Sequence, residues 1–402
     1  MRSILALAAL GAAAFCFVAG ESLPVSLLPL LSSGLGVSLS VAGFLVTIYA
    51  VTVVLASAPL TQLTRRISRR ALLVALLSVF VLGTLGAAAA PAYGWLVAAR
   101  VLTALAQAVF WSIAAVVAAG MFPSAARGRA LAGMYAGSTV ALVAAVPAGN
   151  WLGEVAGWRL PFVVLSGAGL LVLGALLLLL PRRDEGGGSL AAPGTQPDGR
   201  RYAAILATTL LCVAGFFTAN TYVTAFLIHV AGVPSGRVAL VLLVAGVADA
   251  AGLATFGHLV DRRARLTGPV ATGLVAVSLA ALFAAGTSAV GAALLEASLS
   301  FGLSGVVLFL QSEVLVVAPW RADLATAWYS ATFNAGIAAG PLVGALVLAT
   351  LGLRATAVVG ALVAALGMLT ATLGVREGHG GSLAAEEEIR AARERHPAAS
   401  HR

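Results

Sequence analysis

Five ionisable side chains fall within or near the ends of long apolar runs: Glu21, Arg100, Asp249, Glu296 and Glu313. A charge at the centre of a bilayer costs roughly 2.5–3.5 kcal/mol on insertion scales. A chain keeps such residues where a cavity, a partner or a proton compensates them. A carboxyl group set between apolar surroundings and a nearby cation is suited to taking up and releasing a proton. Glu21 is the first candidate for that exchange, with Arg100 as the group that tunes it and Glu296 and Asp249 next in line. The plainer alternative makes Glu21 and Arg100 a structural ion pair and lets Glu296 reach the surface. Asp249 lies near the middle of its run, where a gating role competes with a coupling one. Glu313 falls at the inner edge, where simple solvation suffices. Enzymatic readings find nothing to stand on. The chain lacks H-E-x-x-H and paired aspartates, and without a single Lys it lacks a Walker A loop. No cofactor and no metal are expected, and ATP is not the energy source.

The elements that must position these residues follow from composition. The chain has 402 residues, 60% hydrophobic and 10% charged, against roughly 25% charged in soluble domains. Its mean hydropathy is +1.02. At roughly 20 residues per span, the apolar content supplies about twelve spans. Runs separated by Gly, Pro or Arg fall at 5–30, 39–60, 71–90, 95–118, 130–150, 159–180, 203–228, 237–259, 268–287, 290–314, 324–350 and 355–375. They are of helix length and lack the alternation of a membrane barrel, so the fold class is an all-α membrane protein. Depth follows from 1.5 Å per residue: Glu21, Arg100 and Glu296 sit roughly 6–9 Å below the outer surface. A charged, Gly/Pro-rich linker at 181–201 separates an N-terminal bundle (1–180) from a C-terminal one (202–375). A polar tail follows at 376–402, either a short surface helix or unstructured.

All 24 basic residues are Arg, against 15 acidic, for a net charge of +9. In a soluble domain that excess would suggest nucleic acid. Here it reads as topology, because twenty of the arginines fall on one side if both termini are cytoplasmic. Cys16 and Cys212 sit in apolar runs and suggest neither a disulfide nor a metal site. The apolar start, Ile4 to Val18, lacks a convincing cleavage site and is expected to be a retained first helix. The lysine-free, Ala/Gly/Arg-rich composition fits a high-GC bacterial genome. The chain also repeats at about 195 residues. Arg65-Arg66 answers to Asp261-Arg262, Pro147 to Pro341, and Gly157-Trp158-Arg159 to Gly352-Leu353-Arg354. Two like halves related by an axis along the membrane normal mark one large transporter class.

Several motifs carry a closer resemblance. The loop after the eighth run reads Gly257-His-Leu-Val-Asp261-Arg262-Arg263, the fourth run Ala99-Arg100 through Gln107 to Trp111-Ser112, and the eleventh Gly336-Ile-Ala-Ala-Gly340-Pro341-Leu-Val-Gly344. With Gly157-Trp158-Arg159 closing the fifth run, residues 10–375 resemble the major facilitator superfamily. More narrowly they resemble its twelve-helix drug:proton antiporter branch, near arabinose-efflux and chloramphenicol-efflux permeases. The resemblance implies two pseudo-symmetric six-helix bundles, with helices 1, 4, 7 and 10 lining a central cavity. Gln107, Trp111, Phe216, Asn220, Tyr222 and Gln311 are then candidates for that lining. Arg66, Arg69, Arg70, Gly257, Asp261 and Arg262 are candidates for gating loops, and Pro147, Gly340 and Pro341 for helix bending. It further implies a monomer in the bacterial inner membrane that exports drugs, sugars or related metabolites against a proton gradient by alternating access. Its partners would be a small-molecule substrate, protons and membrane lipid, with no nucleic acid. A proton-linked importer, or a transport-inactive sensor on the same fold, remains open. Three departures stand out: Arg65 occupies the place of an acid, Ala108 that of a Gly, and Pro147-Ala-Gly149 is a reduced form of the antiporter spelling.

Overall fold

The computed structural model describes residues 2–180 and 198–372, so most of the linker expected at 181–201 and the whole tail at 376–402 lie outside it. The N-terminal half contains α1 (Arg2–Leu35), α2 (Leu39–Thr64), α3 (Arg69–Ala88), α4 (Tyr93–Gly120), α5 and α6 (Arg159–Leu179). Helix α5 runs as Arg127–Val140, passes through a π-helical turn at Ala141–Ala145 and continues as Val146–Ala156. The C-terminal half begins with α7 (Gly199–Asn220), followed after a short break by one extra turn pair, Val223–His229. A helical stretch, Ser235–Ala285, is interrupted at Arg263 (φ −144°, ψ 52°) and so forms α8 (235–262) and α9 (264–285). Helices α10 (Ala289–Val317), α11 (Ala322–Leu351) and α12 (Leu353–Thr372) complete the half. Eleven helical segments are long and apolar enough to cross a membrane, and the break at Arg263 makes two spans of one of them. No strand occurs among the described residues.

Polar side chains set several helix starts. Ser38, Ser68, Asp198 and Ser288 each accept a hydrogen bond from the backbone N–H three residues on, satisfying a donor that the helix cannot. The repeat read from the sequence is visible in how helices end. Gly157 (φ +84°) closes α5 and Gly352 (φ +86°) closes α11, at a backbone conformation that side chains disfavour. The arginines that follow behave alike: Arg159 donates to the carbonyl of Ala90, and Arg354 to that of Phe283 at the end of α9.

Within each half, glycines let helices meet backbone to backbone. A Cβ on Gly137 of α5 would lie 1.8 Å from the carbonyl oxygen of Gly11 in α1, and one on Gly340 of α11 would lie 2.6 Å from Cβ of Phe217 in α7. The outer surface is the inverse of a soluble protein's: Leu171, Leu178 and Leu55 are 79%, 85% and 69% exposed. Apolar side chains spread over the outside in this way require a lipid surround.

The halves meet at the end that carries the arginine clusters. Among the described residues, the polar contacts that join them run from that end to mid-membrane. They include Arg69–Asp323, Asp261 with Gly128 and Arg129, Tyr135–Gln311 and Thr139–Asp249. Thr139 is twelve residues into α5, about 18 Å along its axis, so the seal spans roughly half of a bilayer core. The protein is therefore closed at its basic end.

Candidate functional site

Helices α1, α2 and α4 bring one polar cluster together in the half of the membrane opposite the seal. Gln107 of α4 is 1% exposed, and its Nε2 donates to the Glu21 carboxylate at 2.7 Å. The Gln107 oxygen accepts from the Tyr49 hydroxyl of α2 at 2.6 Å. Tyr49, absent from the sequence candidates, also lies under the Arg100 guanidinium, 4.1 Å from ring centroid to Cζ. Its only signal in the sequence is a phenol inside an apolar run.

Arg100 does not form with the Glu21 side chain the structural ion pair of the plainer alternative. Its guanidinium donates to the backbone carbonyls of Gly20 and, at 3.3 Å, Glu21. The arginine therefore clamps α4 to the backbone of α1, and Glu21 keeps a neutral amide as its partner. Such a bond survives a change of charge, because an amide N–H can donate to either oxygen of an ionised or a neutral carboxyl.

Closer to the seal, Trp111 stacks on Tyr135 of α5, with centroids 5.6 Å apart and planes 12° from parallel. The Tyr135 hydroxyl donates to Gln311 of α10 at 3.3 Å, and Gln311 donates to Thr326 of α11 at 3.4 Å. This chain forms a polar floor across both halves beneath the Glu21 cluster. In the C-terminal half, Asn220 donates to Glu296 at 2.8 Å. Phe216 is buried and packs edge-on against Phe217, and the Tyr222 hydroxyl donates to the Pro341 carbonyl at 3.0 Å, tying α7 to α11. Asp249 accepts from Thr139 across the α5–α8 seam, where Gly246 packs against Val143 of the π-turn. Glu313 is not merely solvated: it pairs with Arg201 at the start of α7.

The basic end holds two latches. The Asp261 carboxylate accepts from the backbone N–H of Gly128 at 2.6 Å and of Arg129 at 3.2 Å, and pairs with the Arg129 side chain at 3.2 Å. It thus sits on the positive end of α5. Gly257 makes room for this approach, since a Cβ there would meet Ala132 at 2.9 Å. The second latch joins Arg69 to Asp323, in the first turn of α11, at 3.1 Å. Asp323 is absent from the sequence candidates, which lie in the loops rather than on the helix facing them. It stands 196 residues after Arg127, the interval that separates Arg65 from Asp261, and that is the signal that could have found it. Of the remaining loop candidates, Arg70 donates to the Leu177 carbonyl of α6, and Arg66 and Arg262 are exposed. Pro147 is the second residue past the π-turn, and Pro341 lies within α11 beside Gly340. No His/Cys/Asp/Glu cluster able to hold a metal occurs among the described residues.

Two bundles of repeated design, sealed at one end and holding buried polar side chains at the centre, are the build of a membrane carrier. The profile of the Major Facilitator Superfamily matches residues 10–318, and the chain belongs to that family. It is 32% identical over 381 residues to "Inner membrane transport protein YdhP" of Escherichia coli O157:H7, covering 92% of this chain and 96% of that one. It is 34% identical over 375 residues to "Uncharacterized MFS-type transporter YtbD" of Bacillus subtilis (strain 168), covering 90% and 92%. Among solved structures it resembles the transporter FucP in its outward conformation, with a TM-score of 0.73 at 16% identity over 93% of this chain and 99% of that one. It also resembles the proton:xylose symporter XylE bound to 6-bromo-6-deoxy-D-glucose, with a TM-score of 0.69 at 16% identity over 91% and 94%. These likenesses establish the fold, and the chain is a major facilitator transporter of small molecules.

Proposed function

We propose that the protein is a proton-coupled exporter in the bacterial inner membrane, and that Glu21 exchanges the coupling proton. The observation that carries this reading is the partner of Glu21. Its carboxylate is held by the amide of Gln107, while Arg100, close at hand, is bonded to backbone carbonyls. No cation is bonded to the carboxylate to lock it in one charge state, and it lies on the side of the seal that is not closed. Substrate enters the space above the Trp111–Tyr135–Gln311 floor. Proton exchange at Glu21 then biases whether the seal or the opposite end is shut. The resemblance to drug and sugar efflux permeases supports export as the direction.

The test is a drug and sugar susceptibility panel in a host stripped of its own pumps, with and without a protonophore. Expression is expected to protect against at least one compound, and the protonophore to abolish that protection. The protective compound then serves as probe in reconstituted vesicles. Glu21→Gln should stop accumulation against a gradient while counterflow persists. Uphill transport by Glu21→Gln with ordinary pH dependence would overturn the assignment.

A further inference from the structure

The C-terminal half holds a second acid–amide pair. Glu296 of α10 is 2% exposed, and its Oε1 accepts from Nδ2 of Asn220 in α7 at 2.8 Å. Its other oxygen, Oε2, is buried without a hydrogen-bond partner. The arrangement repeats that of Glu21 and Gln107 with the roles exchanged. The first half puts the acid on α1 and the amide on α4, and the second puts the amide on α7 and the acid on α10.

No ionised group offsets Glu296. None of the ion pairs among the described residues includes it. From α7 it faces Asn220. Helix α9 contributes Ser278, already bonded to Ser298, and the arginine at the head of α12, Arg354, is turned to the Phe283 carbonyl. Ala292 and Leu299, one turn away on either side, are fully buried apolar neighbours. A carboxylate placed there would leave a charged oxygen bare in a low-dielectric interior, whereas a neutral carboxyl forfeits only a hydrogen bond.

We propose that Glu296 and Asn220 form a second proton-binding site, so that each half of the transporter binds a proton. That both halves do so rests on the reading of Glu21 above, but the site itself does not. The Asn220 amide holds the carboxyl in place whether or not it carries the proton, and Oε2 is the atom that gains or loses it.

Infrared difference spectra test this without a known substrate. Full-length protein in lipid nanodiscs is stepped in pH while the protonated-carboxyl stretch is followed. The wild type should show two buried components. Glu296→Gln should remove one and Glu21→Gln the other, and Glu296→Asp should displace its component rather than remove it. If Glu296→Gln folds poorly, Glu296→Asp carries the test alone. Loss of a component in Glu21→Gln but none in Glu296→Gln, or no displacement in Glu296→Asp, overturns the second site and leaves the Glu21 reading standing. The reverse pattern keeps the Glu296 site and removes Glu21. A Glu296 component that responds to added sodium at constant pH would make it a metal-cation site and overturn the proposal.

Discussion

At positions related by the repeat, the two halves carry opposite charge. Arg65 corresponds to Asp261, Arg100 to Glu296 and Arg127 to Asp323, each pair 196 residues apart. The backbone geometry is shared, as the paired glycine stops and their following arginines show. At the basic end, one latch has its acid at the end of α8 and its base on α5, and the other has its base at the head of α3 and its acid on α11. An ion pair closes the seam from whichever side supplies the acid. Deeper in the membrane the inversion has a different consequence. Arg100 spans two backbone carbonyls of α1 with its terminal nitrogens, leaving only Nε unpaired, so it is a clamp. Glu296, with acceptors only when ionised, finds a single amide and is left with a free oxygen.

The largest effect that sharpens this contrast is expected at Arg100. Arg100→Ala removes two charge-assisted bonds to buried carbonyls and should cost about 3 kcal/mol, read as a lowered thermal midpoint in detergent. Arg100→Lys should recover little, because one ammonium does not span both carbonyls. Glu296→Gln, at the equivalent position, should shift the midpoint hardly at all. Equal losses at the two sites would break the distinction between clamp and carrier.

An intermediate effect is expected at Asp261. Asp261→Asn weakens its bonds to the head of α5 and its pairing with Arg129, by about 2 kcal/mol. Spin labels at Ser124 and Leu266, both exposed, should then report a larger share of molecules open at the basic end. An unchanged distance distribution would count against the latch. The smallest effect belongs to the second latch. Arg69 and Asp323 are 26% and 32% exposed, so each single charge reversal should cost at most about 1 kcal/mol. The double exchange Arg69→Asp with Asp323→Arg should restore the closed population in the same measurement. Failure of the double exchange would show that the polarity of this latch matters after all.

The spans were legible because apolar runs of helix length admit one solution in lipid, and the Arg263 break follows a loop whose spelling could be read. The candidate acids were legible for the same reason, as charges amid apolar residues. Their partners were not. Whether Arg100 meets the Glu21 side chain or its backbone depends on rotamers and helix rotation that spacing does not encode. Tyr49 and Asp323 are ordinary residues until another helix is placed against them. The π-turn has no pattern of its own beyond the Pro147 that follows it.

That π-turn acts as a register correction. Gly137 and Gly149 both press on α1, against Gly11 and Leu23 respectively, yet they are twelve residues apart. In an uninterrupted α-helix, at 3.6 residues per turn, they would point about 120° apart. The extra residue absorbed at Ala141–Ala145 makes the interval count as eleven, which returns Gly149 to within about 20° of the same face. One helix can thus present Thr139 to the other half and still keep a single glycine seam along α1. Deleting one residue between 142 and 144 should consequently be milder than inserting one, since the deletion restores an ordinary helix with its seam intact.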